Sequence, residues 1–340
     1  MGAGPVFIGG PDRCGKTTMR AFLVSHPNIS IPAVGSNMWT YFYGQFGDLG
    51  RKENFERCLD AMIHYKHIRF LNPDPDRIRK EFRQGPPGYA RLFALFQEHH
   101  AEREGKPRWG DQTGLVERYA DEIFSSYPAA KMIHLVRDPR DRYEASLALW
   151  PNGRMRVGGA TARWLYSTHL AHRNLRKYPD RYKIVHFEKL ILETEQTLRE
   201  VCVFLGEEYT ADMIEMKGAL DHREKLIKSS QEDSGTSPLS IEFIGRYRKV
   251  IPKQEIAFMQ AFAGRLMKAN GYQPDSIRFS PNEHIHYILI DFPLNFVRMK
   301  AWLGLEFLQH HFPAWMGRKP ARKMIVAKDA QKNLNLKTSG

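Results

Sequence analysis

A short apolar run, Val6-Phe7-Ile8, breaks into Gly10-Pro11-Asp12-Arg13-Cys14-Gly15-Lys16-Thr17, and this junction constrains the chain more than any other stretch. The octet matches G-x-x-x-x-G-K-[ST] and lies between a predicted strand and a predicted helix, the context that gives the pattern meaning. The glycines let the backbone turn back so that its N–H groups converge on an anion. The helix that follows adds about half a positive charge at its N-terminus. Lys16 is placed to bridge phosphate oxygens, and Thr17 and Thr18 to donate hydroxyls or hold Mg²⁺. Cys14 is either a small spacer or a thiol of lowered pKa. The loop is therefore expected to bind a nucleotide by its phosphates.

The rest of the chain alternates strands with helices, which means a parallel sheet. Helical spacing runs from Gly15 to about Ser25, a second short strand covers Ile29 to Ile31, and Lys131 to Val136 and Tyr182 to Phe187 read as buried strands. Helices are expected over 116–127, from Gly159 to about Lys177, over 194–205 and over 252–270. Residues 45–105 are punctuated by Asn72-Pro73-Asp74-Pro75 and Gly85-Pro86-Pro87-Gly88, with helical segments at 54–69 and 89–102, and read as a helical insertion, a lid or a wall of the substrate site. Ser229 to Pro238 reads as a mobile loop. Leu294, Val297, Ala301, Leu305, Leu308 and Phe312 recur at three- and four-residue spacing and predict an amphipathic helix. The expected fold is thus α/β: a P-loop-type three-layer αβα arrangement with a central parallel sheet, a helical insertion and a C-terminal amphipathic helix. Its main domain spans 1–280, and 281–340 form a helical extension whose basic tail is expected to be disordered.

The net charge is +13, which asks for an anionic partner. From 314 onward seven cations (Arg318, Lys319, Arg322, Lys323, Lys328, Lys332, Lys337) face Asp329 alone, so the tail carries about half of that excess. The remainder is too modest to demand nucleic acid. Three scattered cysteines, Cys14, Cys58 and Cys202, exclude a disulfide scaffold or a structural zinc site and suit a reducing compartment. The N-terminus enters a strand directly, so no secretory leader is expected, and no stretch of about 18 uncharged apolar residues predicts a membrane span. The expected location is cytoplasmic. The helix at 293–312 has three possible uses: packing on the core, forming a homodimer, or lying on the inner membrane face, where its basic tail would add contact.

A second motif, Leu135-Val136-Arg137-Asp138-Pro139-Arg140-Asp141, ends a buried strand, where ligands bind in open α/β sheets. An arginine there can clamp a second phosphate bidentately. Three functions fit the residues to this point. One is transfer from a nucleotide with phosphates at both ends of its ribose. Another is an ATP-dependent P-loop kinase, with Glu188 after Ile184-Val185-His186-Phe187 organising Mg²⁺. The third is a non-catalytic, nucleotide-dependent binding module.

Over roughly residues 5–275 the chain resembles the sulfotransferase family that uses 3′-phosphoadenosine-5′-phosphosulfate (PAPS), its bacterial-type branch most closely. The resemblance rests on Arg13, Gly15 and Thr17 with Ser25-His26-Pro27-Asn28; on Trp109-Gly110-Asp111-Gln112-Thr113; and on Tyr127-Pro128-Ala129-Ala130-Lys131 leading to Arg137. Trp164, Val185-His186-Phe187-Glu188-Lys189-Leu190, Phe204-Leu205-Gly206 and Ile244-Gly245-Arg246-Tyr247-Arg248 complete it in family order. The resemblance implies in-line sulfuryl transfer from PAPS to an acceptor hydroxyl or amine on a small molecule, lipid or carbohydrate, with no metal. It implies that Arg13, Cys14, Gly15, Lys16, Thr17 and Thr18 hold the 5′-phosphosulfate, and that Arg137 and a serine hold the 3′-phosphate. Arg246, Tyr247 and Arg248 would close over the nucleotide, and Arg13, with Lys16, would neutralise the leaving phosphate. Three departures stand out: Lys16 where Thr or Ser is usual, Ala145 in the usual serine's place with Ser146 next to it, and Gln112-Thr113-Gly114 without the family's lysine or histidine. Asp111 is therefore the expected general base, ahead of His64, His67, His99 and His100.

Overall fold

The computed structural model describes residues 3–148, 156–221, 225–227, 240–320 and 324–325. Five parallel strands, β1 (Val6–Gly9), β2 (Ile29–Ser30), β3 (Arg108–Gln112), β4 (Lys131–Val136) and β5 (Tyr182–His186), form one sheet in the order β2-β3-β1-β4-β5. β1 is central: Phe7 pairs with Asp111 of β3 on one side and with Met132 of β4 on the other. The chain runs to one edge, returns beside β1, then crosses to the other side. The crevice at the carboxyl end of β1 is thus a topological switch point, the usual ligand site of such a sheet.

After β1 come α1 (Lys16–Val24) and, beyond β2, α2 (Met38–Tyr41) and then the insertion: α3 (Lys52–Ile63), α4 (Lys66–Arg69), α5 (Pro75–Phe82) and α6 (Tyr89–Arg103). A 3-10 turn (Val116–Tyr119) and α7 (Ala120–Ser126) join β3 to β4, and α8 (Pro139–Leu147) and α9 (Arg156–Lys177) lie between β4 and β5. The chain then forms α10 (Phe187–Leu192), α11 (Thr194–Leu205), α12 (Tyr247–Val250), α13 (Lys253–Ala269), α14 (Pro281–His286), α15 (Phe292–His311) and α16 (Pro313–Met316). Alternate strand residues face opposite layers, as a pleat requires. Val6, Ile8, Ile133 and Leu135 pack with α1 and α11, whereas Phe7, Met132 and Tyr182 pack with the insertion, α7 and α9. This is the three-layer α/β fold that the alternation predicts.

The insertion is helical, with two differences from expectation. The expected helix at 54–69 breaks between α3 and α4 at the buried Tyr65. Asn72-Pro73-Asp74-Pro75 does not merely interrupt the chain. Asp74 accepts from the N–H groups of Asp76 and Arg77, with Pro75 in the first turn, so the motif starts α5. The expected loop at 229–238 lies outside the described residues.

The C-terminal helix forms where expected but turned the other way. α15 packs against α9 through Asn295, Met299, Trp302 and Glu306, all buried. Gly158 of α9 permits the close approach, since a Cβ there would lie 2.1 Å from Asn295 O. The stripe of Leu294, Val297, Leu305, Leu308 and Phe312 faces solvent instead, with Val297 63% exposed. Two stripes coexist on this helix, and the packed one carries Asn295 and Glu306, which hid it from an apolar-periodicity search. Glu306 is buried between Arg118 of the 3-10 turn and Arg318, bonded to both. Of the basic tail expected to be disordered, residues 321–323 and 326–340 lie outside the described residues. Residues 313–320 fold back over the insertion, with Gln45 Nε2 donating to Arg318 O (2.8 Å), and Ile325 bridges to Tyr65.

Candidate functional site

The phosphate loop is held from beneath. Gly10 N–H donates to the buried carboxylate of Glu117 (3.0 Å), and Arg142 Nη1 bonds Asp12 Oδ1 (3.1 Å). Burial opposes the charge on Asp12, but Arg142, Arg163 and Lys16 overcome it and hold the carboxyl below the usual range. Gly15 has φ 98°, and a Cβ there would lie 2.4 Å from the Phe187 ring, so no other residue fits. No side chain caps α1, so its first-turn N–H groups are free to meet a ligand. They face a cavity of about 340 Å³ bordered by Arg13, Gly15, Lys16, Thr17 and Thr18.

The far wall of this cavity is Arg137, Phe187, Phe243 and Arg246 with Ala145. Arg137 lies 4.5 Å over the Phe187 ring, and its Nη2 donates to Phe243 O (2.7 Å). Its Nε is buried without a partner, an orphaned donor of the kind a ligand satisfies. Burial makes this arginine less basic than usual, with the like charge of Arg13 adding to the effect. Asp141 fixes the opposite lip by accepting from Gly245 N (2.7 Å) and Tyr247 N (3.0 Å). Arg246 ion-pairs with Glu144, which shares the cavity wall (3.1 Å).

Several expected contacts are not brought to this space. Ser146 Oγ donates to Tyr143 O (2.7 Å) and points away, because the helix face toward the cavity carries Glu144, Ala145 and Ala148. Tyr247 is buried, with its hydroxyl on Asp275, and Arg248 pairs with the same carboxylate, so Arg246 alone of the three borders the cavity. The Cys14 side chain is fully buried beneath the loop, and burial pushes its thiol pKa up, the reverse of an activated thiolate. Glu188 accepts from Asp138 N and the Tyr272 hydroxyl (both 2.8 Å), which ties it to the fold behind the motif. Among the described residues no group of three or more His, Cys, Asp or Glu side chains could hold a metal.

Lys16 and Thr17 also border a second cavity of about 420 Å³, walled by Asn37, Tyr41, His67, Arg163 and Arg318. Lys16 Nζ donates to Gly10 O (2.8 Å) and Pro11 O (2.5 Å), so it stands at the junction of the two spaces. Asp111 is 2% exposed and borders neither. Its Oδ1 accepts from Ser36 N (3.0 Å), and its Oδ2 from the hydroxyls of Ser36 (2.6 Å) and Thr113 (3.0 Å). It pins the turn at 35–37 to β3. That turn presents Gly35 O to His67 Nδ1 (2.8 Å). Asn37 Nδ2 also lies 3.1 Å from Nδ1, but the Gly35 carbonyl can only accept, so its bond assigns the proton to Nδ1 and leaves Nε2 with its lone pair, and burial lowers the His67 pKa in favour of the neutral ring. His64 and His99 bond within the insertion, to Asp60 and Glu81, His100 lies 3.4 Å from Glu104, and none of the three borders this cavity. Arg163 and Arg318 carry no motif, and long-range folding alone brings them here.

The sulfotransferase family model matches residues 5–211. Over 290 residues the chain is 22% identical to a protein-tyrosine sulfotransferase of Drosophila melanogaster, covering 79% of this chain and 52% of that protein. The chain thus spans about half the length of that relative. Among solved structures, the sulfotransferase domain of the Synechococcus PCC 7002 olefin synthase matches with a TM-score of 0.54 at 19% identity, over 80% of this chain and 97% of that one. The sulfotransferase domain from the curacin biosynthetic pathway matches at 0.50 and 16% identity, over 80% and 99%. These two likenesses establish the fold.

Proposed function

The chain belongs to the sulfotransferase family, and from that premise we propose that it moves a sulfuryl group from PAPS to an acceptor hydroxyl or amine. Arg137 is the observation that carries this. It puts a buried, partly unpartnered cation at the far end of a cavity whose near end is the α1 N-terminus. A nucleotide with phosphates at both ends of its ribose matches both, whereas ATP leaves Arg137 without a phosphate. PAPS supplies an activated sulfuryl group on a phosphate leaving group.

The residues divide the work by position. The loop N–H groups, Thr17 and Thr18 hold the 5′ end, and Arg137 and Arg246 hold the 3′-phosphate. Arg13 and Lys16 neutralise charge on the departing phosphate oxygen as the sulfur–oxygen bond to it breaks. Arginine stays charged, so Arg13 stabilises rather than donates a proton. His67 Nε2 accepts the proton of the acceptor as its oxygen or nitrogen bonds to sulfur. Label from ³⁵S-PAPS should appear in a hydroxyl or amine acceptor, offered from a panel of small molecules, lipids and carbohydrates. Phosphoryl transfer from ATP with Mg²⁺ and none from PAPS would point to the kinase instead.

A cytoplasmic enzyme that docks on an anionic membrane face is the second element of this proposal. Among the described residues no helix is long and apolar enough to cross a membrane. The outward face from Ile288 to Trp315 is apolar and aromatic, and Trp315 is 80% exposed. From 288 to 319 the acids are Asp291, paired with His286, and the buried Glu306, while Arg298, Lys300 and Lys319 are cationic and Arg318 pairs with Glu306. Two copies of such a face would oppose like charges, so anionic lipid is favoured over a homodimer. The protein should float with vesicles containing phosphatidylserine, and Val297→Asp with Leu305→Asp should abolish flotation. Flotation that survives both changes would count against this face.

A further inference from the structure

The cavity beyond Lys16 has a charge pattern that the transfer reaction does not require. Two carboxylates near it are each shared by two arginines. Asp12 lies between Arg142 and Arg163 (3.1 and 2.5 Å), and Glu306 between Arg118 and Arg318. In each set the inner arginine is buried, and the outer one, Arg163 or Arg318, borders the cavity. Each set therefore keeps a positive charge in excess, on the arginine that faces the same space.

Neither outer guanidinium is exhausted by its partners. Arg318 gives Nε to Gln309 Oε1 (2.7 Å) and Nη2 to Glu306. Arg163 gives Nη1 to Asp12 Oδ1, and its guanidinium lies 5.6 Å over the Trp302 ring. Burial makes Arg318 less basic than usual despite Glu306, and the like charges of Arg118 and Arg163 add to the effect. The two outer arginines thus feel each other across the cavity, and an anion between them would relieve that repulsion. Asp12 is the only carboxylate that borders this cavity among the described residues, and it is already shared by two arginines. Arginine is the residue that grips planar carboxylates and phosphates through paired N–H donors.

We infer that the acceptor carries an anionic group, a carboxylate or a phosphate, seated between Arg163 and Arg318 while its nucleophile faces His67. This rests on the assignment of the cavity to the acceptor. It also gives the folded-back segment at 313–320 a role, because that segment delivers Arg318 from far along the chain.

The test uses hydroxyl acceptors in matched sets, each as carboxylate, phosphate ester and neutral carboxamide, with labelled PAPS and the full chain. The anionic members should have kcat/KM about 10- to 100-fold above the carboxamide. The carboxylate and phosphate arms tell the two anions apart. Arg318→Gln should erase most of the preference by raising KM for the anionic members far more than for the carboxamide, with affinity for adenosine 3′,5′-bisphosphate retained. Equal turnover of neutral and anionic members, or a preference that survives both Arg318→Gln and Arg163→Gln, overturns the inference and leaves the function standing. No turnover of any member, with no binding of the bisphosphate, overturns both.

Discussion

Arg13→Ala should lower kcat by about 10²- to 10³-fold while changing the affinity for PAPS itself little. The bridging oxygen of PAPS carries little charge before transfer, whereas in adenosine 3′,5′-bisphosphate it has become a fully charged phosphate oxygen, so bisphosphate affinity should fall together with kcat. Charge on the bridging oxygen grows as that bond breaks, and a fixed guanidinium there is worth most at the transition state. Arg137→Ala should do the opposite. It removes a contact to the 3′-phosphate in ground and transition states alike, so bisphosphate affinity should fall by about 10- to 100-fold with a smaller change in kcat. Lys16→Ala should show both effects, because Lys16 borders both cavities and also bonds the loop carbonyls of Gly10 and Pro11. Steady-state kinetics with calorimetric titration separates the three. Weaker PAPS binding in Arg13→Ala with kcat unchanged would place Arg13 in nucleotide binding and remove it from the chemical step.

His67→Gln should lower kcat by about 10²- to 10⁴-fold and remove the acid limb of the pH profile. The sign follows from burial. The ring is neutral in its working form, and burial shifts its pKa below the ordinary value of about 6.5. In the wild-type protein the rate should therefore be flat near neutral pH and fall as pH drops through that lowered pKa. Asp111→Asn is the companion variant. Its carboxylate accepts bonds from Ser36 and Thr113 and reaches His67 only through the turn at 35–37. It should cost about 1–3 kcal/mol of stability in thermal unfolding, with a smaller loss of kcat and the acid limb retained. A His67→Gln enzyme that keeps both its rate and its acid limb would end the assignment of His67.

What the sequence disclosed follows from the range of the interactions. The loop from Gly10 to Thr17 and the strand end at Arg137 are local patterns, and both border the first cavity. The second cavity is assembled from the insertion, the turn at 35–37, α9 and the segment after α16, and no local spacing joins them. Asp111 stands beside an expected acceptor motif, yet strand pairing buries it, and a histidine from the insertion borders the cavity instead. Ser146 is one residue from the usual serine's place, and one residue on a helix is a rotation of about 100°. That rotation is enough to aim its hydroxyl at Tyr143 O. α15 was legible as a helix but not in its orientation, because the stripe that packs mixes Asn295 and Glu306 with Met299 and Trp302, and apolar periodicity selects the other face.

The central claim is that the phosphate loop and Arg137 together select a nucleotide bearing phosphates at both ends of its ribose. Titrating the full chain with adenosine 3′,5′-bisphosphate in EDTA, and separately with ATP and Mg²⁺, tests it most directly. The bisphosphate should bind without metal and at least about 100-fold more tightly than ATP, the difference of one well-made charged contact. ATP with Mg²⁺ binding as tightly or more tightly, with the bisphosphate weak in EDTA, would contradict it.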